Sequence, residues 1–218
     1  MLSIVTGTYN RKNLLGGLIK NTVDASDRLE LVLVDGGSTD ETVEYIKDLN
    51  HPRIKLVEVG ERSSYPHFMN LGIRNASHEL VVQWNDDVVL KNDWEDVLDE
   101  IDGHDFYVFS WAEGRGGQRW NLLDIKSELV MNYGIYEKRV FREIGMYNTS
   151  YHFYYADGDM SCRARAFGYK YKTLRNIKVI ALSRVPKSAV PRDDDLDMYI
   201  KARNLYDKKI IPDGVERL

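Results

Sequence analysis

The chain has 218 residues and a formal net charge of −4 at pH 7. Its hydrophobic content of 43% and charged content of 29% are typical of a soluble globular protein. The acidic balance argues against nucleic acid as a partner, and no apolar run reaches the ~18–20 residues that cross a bilayer. The length favours one domain.

The amino terminus and the cysteine content indicate a cytoplasmic protein. The first ten residues, MLSIVTGTYN, have neither the basic start nor the cleavage site of a signal peptide. The single cysteine, Cys162, excludes an internal disulfide and is typical of a reducing compartment.

Strand and helix patterns alternate through the first half of the chain. We predict strands over residues 2–6, 29–34, 54–59, 80–83 and 106–111, with helices after residue 10 and over 38–49, 66–75 and 92–101. This order is typical of an α/β fold with a Rossmann-like, mostly parallel central sheet and helices on both faces. Asn10 is the expected cap of the first helix, and Ser38 and Glu41 form the capping-box pattern of the second.

The pattern is irregular after residue 111. The segment 113–120, EGRGGQRW, is interpreted either as a mobile surface loop or as a basic flap over an anionic ligand. Further strands are predicted over 129–135 and 177–182, and helices over 136–144, 160–167 and 196–207. We therefore expect a single domain over 1–218, with a regular part over 1–111 and a smaller mixed part over 112–218.

Two adjacent carboxylates, Asp86 and Asp87, follow the short apolar strand over 80–83. Unpaired charges beside an apolar core are unfavourable, so a cation or a phosphate-bound metal is a natural partner. In open α/β sheets, ligands also bind at the carboxyl ends of the strands. The alternative is a turn rich in Asn and Asp that binds nothing. These residues alone leave both interpretations open.

Four segments with polar residues occur in a fixed order along the chain. They are Thr8-Tyr9-Asn10-Arg11, residues 34–40 (VDGGSTD), Asn85-Asp86-Asp87, and Asp157-Gly158-Asp159 followed by residues 163–169 (RARAFGY). Residues 70–76 and 141–145 add two weaker similarities. Together these segments resemble the family 2 inverting glycosyltransferases, which have the GT-A fold, over residues 2 to 169.

The resemblance implies a substrate class and a metal. The donor would be a nucleoside-diphosphate sugar, with a UDP-sugar expected, and the acceptor a hydroxyl of a glycan or lipid-linked molecule. Asp87 would bind a divalent cation, Mn²⁺ or Mg²⁺, and Asp86 would support the metal or hold the ribose. The residues implied at the nucleotide are Thr8, Tyr9, Asn10, Arg11, Asp35, Asn70 and Asp86. Residues 1–111 would bind the nucleotide sugar and 112–218 the acceptor, in a polysaccharide-building reaction.

The resemblance also implies a catalytic base. An inverting transfer needs a group that takes the proton of the acceptor hydroxyl, and the pattern assigns this role to Asp157, with Asp159 as the reserve candidate or an acceptor contact. The residues themselves also allow a structural role, since either aspartate can cap the following helix. The chain departs from the pattern at Ala156, where relatives often carry Glu, and at Gly36, where many carry a second Asp.

Other functions are weighed against this one. A catalytically silent nucleotide-sugar-binding module stays open. A sugar nucleotidyltransferase is disfavoured because no glycine-rich basic loop follows the first strand, and a dehydrogenase because G-x-G-x-x-G is absent. Basic residues over 170–178 and 201–209 suit peripheral contact with an anionic membrane or a solvated surface. Arg184 is either a diphosphate contact or a solvated arginine.

Overall fold

The computed structural model describes residues 1–113, 117–120, 131, 133–152, 154–182 and 193–218. The strands in these residues are β1 (Leu2–Thr8), β2 (Leu29–Asp35), β3 (Ile54–Glu58), β4 (Leu80–Gln83), β5 (Val88–Leu90), β6 (Phe106–Glu113), β7 (Gly117–Trp120), β8 (Gly134–Glu137) and β9 (Tyr171–Ala181). The helices are α1 (Lys12–Asn21), α2 (Thr42–Leu49), α3 (Tyr65–Asn75), α4 (Trp94–Asp99), α5 (Lys138–Ile144), α6 (Ala156–Ala166) and α7 (Asp193–Tyr206).

All nine strands belong to one sheet. Its order is β3-β2-β1-β4-β8-β6-β9-β5, and β7 pairs with β6. The first four strands in this order are parallel, as are β6 and β9, whereas β8 is antiparallel to both of its neighbours. This arrangement confirms the predicted α/β fold, with a parallel half followed by a mixed half.

Two apolar cores cover the two faces of the sheet. Strand β2 is buried along its whole length, as expected of a parallel strand covered on both sides. Because alternate side chains of a strand point to opposite faces, Val32 belongs to one core and Leu31 and Leu33 to the other. Helix α3 lies on the first of these faces, where Gly72 allows close contact with Val5 of β1.

Both helix caps predicted in the first half are wrong. Arg11 precedes α1 without a side-chain cap, and the Oδ1 of Asn10 instead accepts the amide hydrogen of Thr39 at 2.7 Å. Helix α2 begins only at Thr42, after Glu41 in a left-handed conformation (φ 65°). Asn10 and Ser38, the two predicted cap residues, instead join the loop after β1 to the loop after β2.

Several boundaries in the second half also differ from the predictions. Helix α6 begins at Ala156, four residues before the predicted start, and β9 begins at Tyr171. Of the strand predicted over 129–135, residues 129, 130 and 132 lie outside the described residues, and its last two residues belong to β8. Helix α5 starts two residues after the predicted helix. Strands β5 and β7 were not predicted. Since Gly117–Trp120 pairs with β6, the segment 113–120 is not simply a loop, while residues 114–116 lie outside the described residues.

No helix among the described residues combines the length and apolar character needed to span a bilayer.

Candidate functional site

The carboxyl ends of β1, β2 and β4 meet at one edge of the sheet. Thr8 pairs with Asp35 across β1 and β2, and Val5 pairs with Gln83 across β1 and β4. At this edge the buried hydroxyl of Thr8 donates a hydrogen bond to Oδ2 of Asp86 at 3.0 Å. Two sequence segments that were predicted to share a site are therefore in direct contact.

Asp35 organises the loop after β2. Its buried Oδ2 accepts the backbone N–H groups of Gly37 at 2.9 Å and Ser38 at 3.0 Å, and the Ser38 hydroxyl donates to Oδ1. The amide of Asn10 donates to the Ser38 hydroxyl at 2.9 Å. These bonds hold the segment after β1 against the loop after β2, so Asn10 and Asp35 lie at the same end of the sheet.

Tyr9 and Arg11 flank this loop pair. The Tyr9 side chain is exposed, and the guanidinium carbon of Arg62 lies 5.3 Å from the centre of its ring. The amide of Arg11 donates to the Thr42 hydroxyl at 3.2 Å. Tyr9 thus offers an aromatic surface beside the buried Asp35.

Asp86 and Asp87 are adjacent carboxylates at the end of β4, and Asp87 is buried. Burial raises the pKa of Asp86 to about 6; the Thr8 hydrogen bond and the charge of Arg11 oppose this rise, while the charge of Asp87 adds to it. The charge of Asp87 therefore disfavours ionisation of Asp86, and a bound cation would offset this repulsion.

The carboxylate oxygens of Asp86 and Asp87 are suitable ligands for a hard divalent cation whose other ligands come from a substrate and water. Within the described ranges, no group of three or more His, Cys, Asp or Glu side chains could enclose a metal ion. The protein would supply the carboxylates of Asp87 and Asp86, and phosphate oxygens and water would complete the shell. Mg²⁺ in phosphate-transfer sites is commonly held by one or two carboxylates in this way.

Asp157 lies in the first turn of α6, two residues after a residue with an unusual backbone conformation. Tyr155 has a left-handed backbone (φ 67°), which is uncommon for a residue with a side chain. Oδ1 of Asp157 accepts the amide hydrogen of Gly158 at 2.8 Å. Burial raises the pKa of Asp157 to about 6, and bonds from backbone N–H groups, that of Gly158 first, partly oppose the rise.

Four tyrosine phenols lie within electrostatic reach of this carboxylate. Burial and, to a smaller extent, the negative charge of Asp157 raise the pKa of the phenols of Tyr65, Tyr133, Tyr136 and Tyr147. Because burial raises its pKa, the Asp157 carboxylate is a stronger base than one in water.

Tyr133 contacts the segment that contains Asp86 and Asp87. Its hydroxyl accepts a hydrogen bond from Nδ2 of Asn85 at 3.2 Å, and its ring packs edge-on against Trp84 at 6.0 Å. Its pKa is raised first by burial, then by the charge of Asp87, and also by that of Asp157. One phenol thus lies within electrostatic reach of both carboxylates. The sequence did not reveal Tyr133, which lies in no motif.

Asn70 is buried and engaged with the backbone of Tyr147. Its Nδ2 donates to the Tyr147 carbonyl at 2.8 Å, and its Oδ1 accepts the Tyr147 amide hydrogen at 2.9 Å. These bonds join α3 to the segment before α6 and account for Asn70 without a nucleotide. Its predicted binding role gains no support from them.

Asp159 is fully buried and points toward α7. It accepts hydrogen bonds from the hydroxyls of Tyr151, at 3.1 Å, and Tyr206, and the Arg163 guanidinium lies 3.7 Å away. These contacts give Asp159 a structural role, and its predicted role as reserve base gains no support. Arg184 lies outside the described residues.

Comparisons with known proteins show the family to which this chain belongs. Solved structures with similar folds include TarS 1-349 from S. aureus in complex with UDP (17% identity, 94% of this chain and 64% of that chain, TM-score 0.72). The same protein in complex with UDP-GlcNAc gives 19% identity over 94% of this chain and 66% of that chain, with a TM-score of 0.72. Mannosyltransferase PcManGT from Pyrobaculum calidifontis, in complex with GDP-Man and Mn²⁺, gives 18% identity over 86% of this chain and 58% of that chain, with a TM-score of 0.65.

The identities are low enough that these structures show the fold alone, and the chain spans about 64% of the length of the TarS structure with UDP. No curated protein matches the chain. The family model described as glycosyl transferase family 2 matches residues 3–167, which is well over half of the sequence. This protein therefore belongs to glycosyl transferase family 2.

Proposed function

We propose that this chain transfers one sugar, with inversion at the anomeric carbon, from a nucleoside-diphosphate sugar to a hydroxyl of a glycan or lipid-linked acceptor. The observation that carries the proposal is the geometry beside Asp86 and Asp87, where the Thr8 hydroxyl donates to Asp86 at 3.0 Å and Asn85 donates to the Tyr133 hydroxyl at 3.2 Å. The charges of Asp87 and Asp157 both act to raise the pKa of the Tyr133 phenol, which supports a metal-binding carboxylate and a proton-accepting carboxylate near one another. Such a pairing is what a reaction with an anionic leaving group and a hydroxyl nucleophile requires.

The donor end is assigned to the loops after β1 and β2. Thr8 pairs with Asp35 across β1 and β2, and Asn10 and Arg11 follow it in the loop that bonds to Ser38 and Thr42. Tyr9, in the same loop, presents an exposed ring on which a base can stack. The complexes of TarS with UDP and UDP-GlcNAc, and of PcManGT with GDP-Man, support a nucleotide-sugar donor on this fold. We expect a UDP-sugar.

The proposed chemistry has Asp157 as the base. The acceptor hydroxyl gives its proton to the Asp157 carboxylate while its oxygen forms a bond to the anomeric carbon. On the opposite side, the bond from that carbon to the diphosphate oxygen breaks, and the nucleoside diphosphate leaves with the electron pair. Mn²⁺ or Mg²⁺ at Asp87 and Asp86 would offset the charge that develops on the leaving diphosphate.

Calorimetric titration with UDP and GDP, each with and without Mn²⁺, tests the donor and metal assignment. We expect one of the two nucleotides to bind, and to do so only with Mn²⁺ present. Asp87→Ala should weaken this binding roughly 10-fold or more because it removes the direct ligand. The matched control is Asp99→Ala, which changes an exposed aspartate of α4 and should leave binding unchanged.

Donor hydrolysis tests the reaction itself. We expect the protein to hydrolyse the donor whose nucleotide binds in the titration, and so to release UDP from UDP-GlcNAc or GDP from GDP-mannose. The newly freed sugar should have the anomeric configuration opposite to that of the donor, as detected by proton NMR before mutarotation. Retention would contradict the inverting mechanism, and failure of both nucleotides to bind would contradict the proposed function.

A further inference from the structure

A buried carboxylate of α7 binds the segment that leads into α6. Asp195 is 1% exposed. Its Oδ1 accepts the amide hydrogen of His152 at 3.0 Å, and its Oδ2 accepts that of Tyr154 at 3.0 Å. Hydrogen bonds from a backbone N–H to an ionised carboxylate are about twice as strong as neutral ones. One side chain therefore fixes two alternate peptide groups in the approach to Asp157.

The same helix holds the strained residue that follows. Tyr155, in its left-handed conformation, stacks on Tyr199 of α7 with ring centres 5.5 Å apart and an interplanar angle of 21°. A backbone conformation of this kind persists only where its surroundings hold it. Asp195 thus holds the backbone just before Tyr155, Tyr199 packs on the Tyr155 ring, and Asp157 is two residues further on.

Helix α6 is joined to α7 as well. The Tyr199 hydroxyl lies 3.0 Å from Sγ of Cys162, and the Tyr206 hydroxyl donates to Asp159. The turn and the helix that carry Asp157 are thus both fixed to α7. Helix α7 follows residue 167, where the family match ends, so the match does not account for these contacts.

We propose that Asp195 is a positioning residue that holds the backbone of His152 and Tyr154 so that Asp157 stays in place to accept a proton. The inference rests on the proposed function. It assigns to α7 a part in the reaction, although no residue of α7 touches the substrate in this scheme.

Two substitutions at Asp195 give a graded test. Asp195→Ala removes both acceptor oxygens, whereas Asp195→Asn keeps one. Asp194→Asn, at the exposed neighbouring position, is the matched control. Glu30→Gln is a second control because it disturbs a buried carboxylate at the opposite end of the sheet, and so separates a general loss of stability from a local effect.

The first measurement is amide hydrogen exchange at residues 152 and 154, which needs no substrate. We expect protection of both amides to fall in Asp195→Ala and to persist in both controls. The second measurement is hydrolysis of the donor that binds, together with the Kd of its nucleotide and Mn²⁺. We expect kcat to fall roughly 10-fold or more in Asp195→Ala, and by less in Asp195→Asn, while the nucleotide Kd stays within about 2-fold.

The results that would overturn the proposal are distinct from failure of the proposed function. Unchanged exchange at both amides, or an unchanged kcat despite faster exchange, would overturn the positioning role. An equal loss of kcat in Glu30→Gln would also overturn it, because the effect would then follow stability. If Asp195→Ala does not fold, the Asn variant decides by the same criteria. A wild-type protein that binds no nucleotide would contradict the proposed function. The exchange data would still decide whether Asp195 holds the amides of residues 152 and 154.

Discussion

Asp157 and Asp159 are separated by one glycine and have different surroundings. Asp159 faces α7 and accepts hydrogen bonds from two tyrosine hydroxyls, whereas Asp157 accepts an amide hydrogen of its own helix. The helix begins at Ala156, so both aspartates lie in its first turn and both interact with its positive end. What separates the two roles is which direction each side chain points, and this depends on packing that distant residues supply.

The raised pKa of Asp157 predicts how the reaction depends on pH. A base works when it is ionised, so activity should be present above its pKa of about 6 and lost as the pH falls through that value. The surrounding phenols have pKa values raised above their ordinary range, so they do not titrate there. We expect kcat/KM for donor hydrolysis to show an acid limb near pH 6.

Asp157→Asn should lower the rate by roughly 10² to 10⁴-fold and leave the nucleotide Kd unchanged, since a lost general base typically has an effect of that size. An acid limb near pH 4 in the wild-type protein, or a near wild-type rate in Asp157→Asn, would count against the assignment.

Among the elements, α3 shows how a single glycine sets the approach of a helix to the sheet. A Cβ at Gly72 would lie 2.2 Å from Cγ1 of Val5 and 3.3 Å from Cγ2 of Val34. The helix can pack at this distance from β1 and β2 only because the position has no side chain. This close approach in turn places Asn70, on the same helix, against the backbone of Tyr147.

Gly72→Ala should therefore destabilise the protein by about 1–3 kcal/mol, the usual effect of overpacking, even though alanine favours helix formation. Urea unfolding measures the difference. Gly17→Ala in α1 is the matched control: its Cβ would meet nothing within 4 Å, so it should be neutral or stabilise by up to about 1 kcal/mol. Equal effects of the two substitutions would contradict the packing argument.

The elements also show which parts of the fold can be predicted from the sequence. Strands β1, β2 and β4 are apolar runs that are visible locally in the sequence, and the resemblance to family 2 glycosyltransferases predicted that Thr8 and Asp86 share one site. Strand β5 has only three residues and pairs with the distant β9, while β7, GQRW, contains a single apolar residue and pairs with the neighbouring β6. Tyr133 escaped prediction because its contacts, such as that with Asn85, come from other segments of the chain.

Across the whole molecule, the two ends of the sheet use carboxylates in opposite ways. The end opposite the candidate site contains Glu30, which is 7% exposed and bonded to the hydroxyls of Ser3 and Ser77. Burial acts to raise the pKa of Glu30, but the hydrogen bonds from Ser3, Ser77 and Lys55 outweigh it and lower the pKa to about 2. This carboxylate stabilises the fold in its charged form, whereas Asp157 is costly to ionise.

Stability should therefore depend on pH through Glu30. Its folded pKa lies below its ordinary value of 4.5, so its contribution is complete above pH 4.5 and is lost as the pH falls toward 2. The shift corresponds to at most about 3 kcal/mol. In urea unfolding, Glu30→Gln should be clearly less stable than the wild type at pH 7 and much closer to it at pH 3. A difference of the same size at both pH values would show that the ionised carboxylate is not the source.

The place of β9 in the sheet has a consequence for how the chain folds during synthesis. This strand lies between β6 and β5, and it pairs Val88 with Ala181 and Phe106 with Tyr171. Closing such long loops is slow, because the entropy of closure is lost before the new contacts compensate for it. Until residue 181 has left the ribosome, one edge of β6 and all of β5 have no partner, so the nascent chain exposes a strand edge to proteases and chaperones. The carboxyl-terminal third therefore sets the time at which the domain becomes resistant to proteolysis.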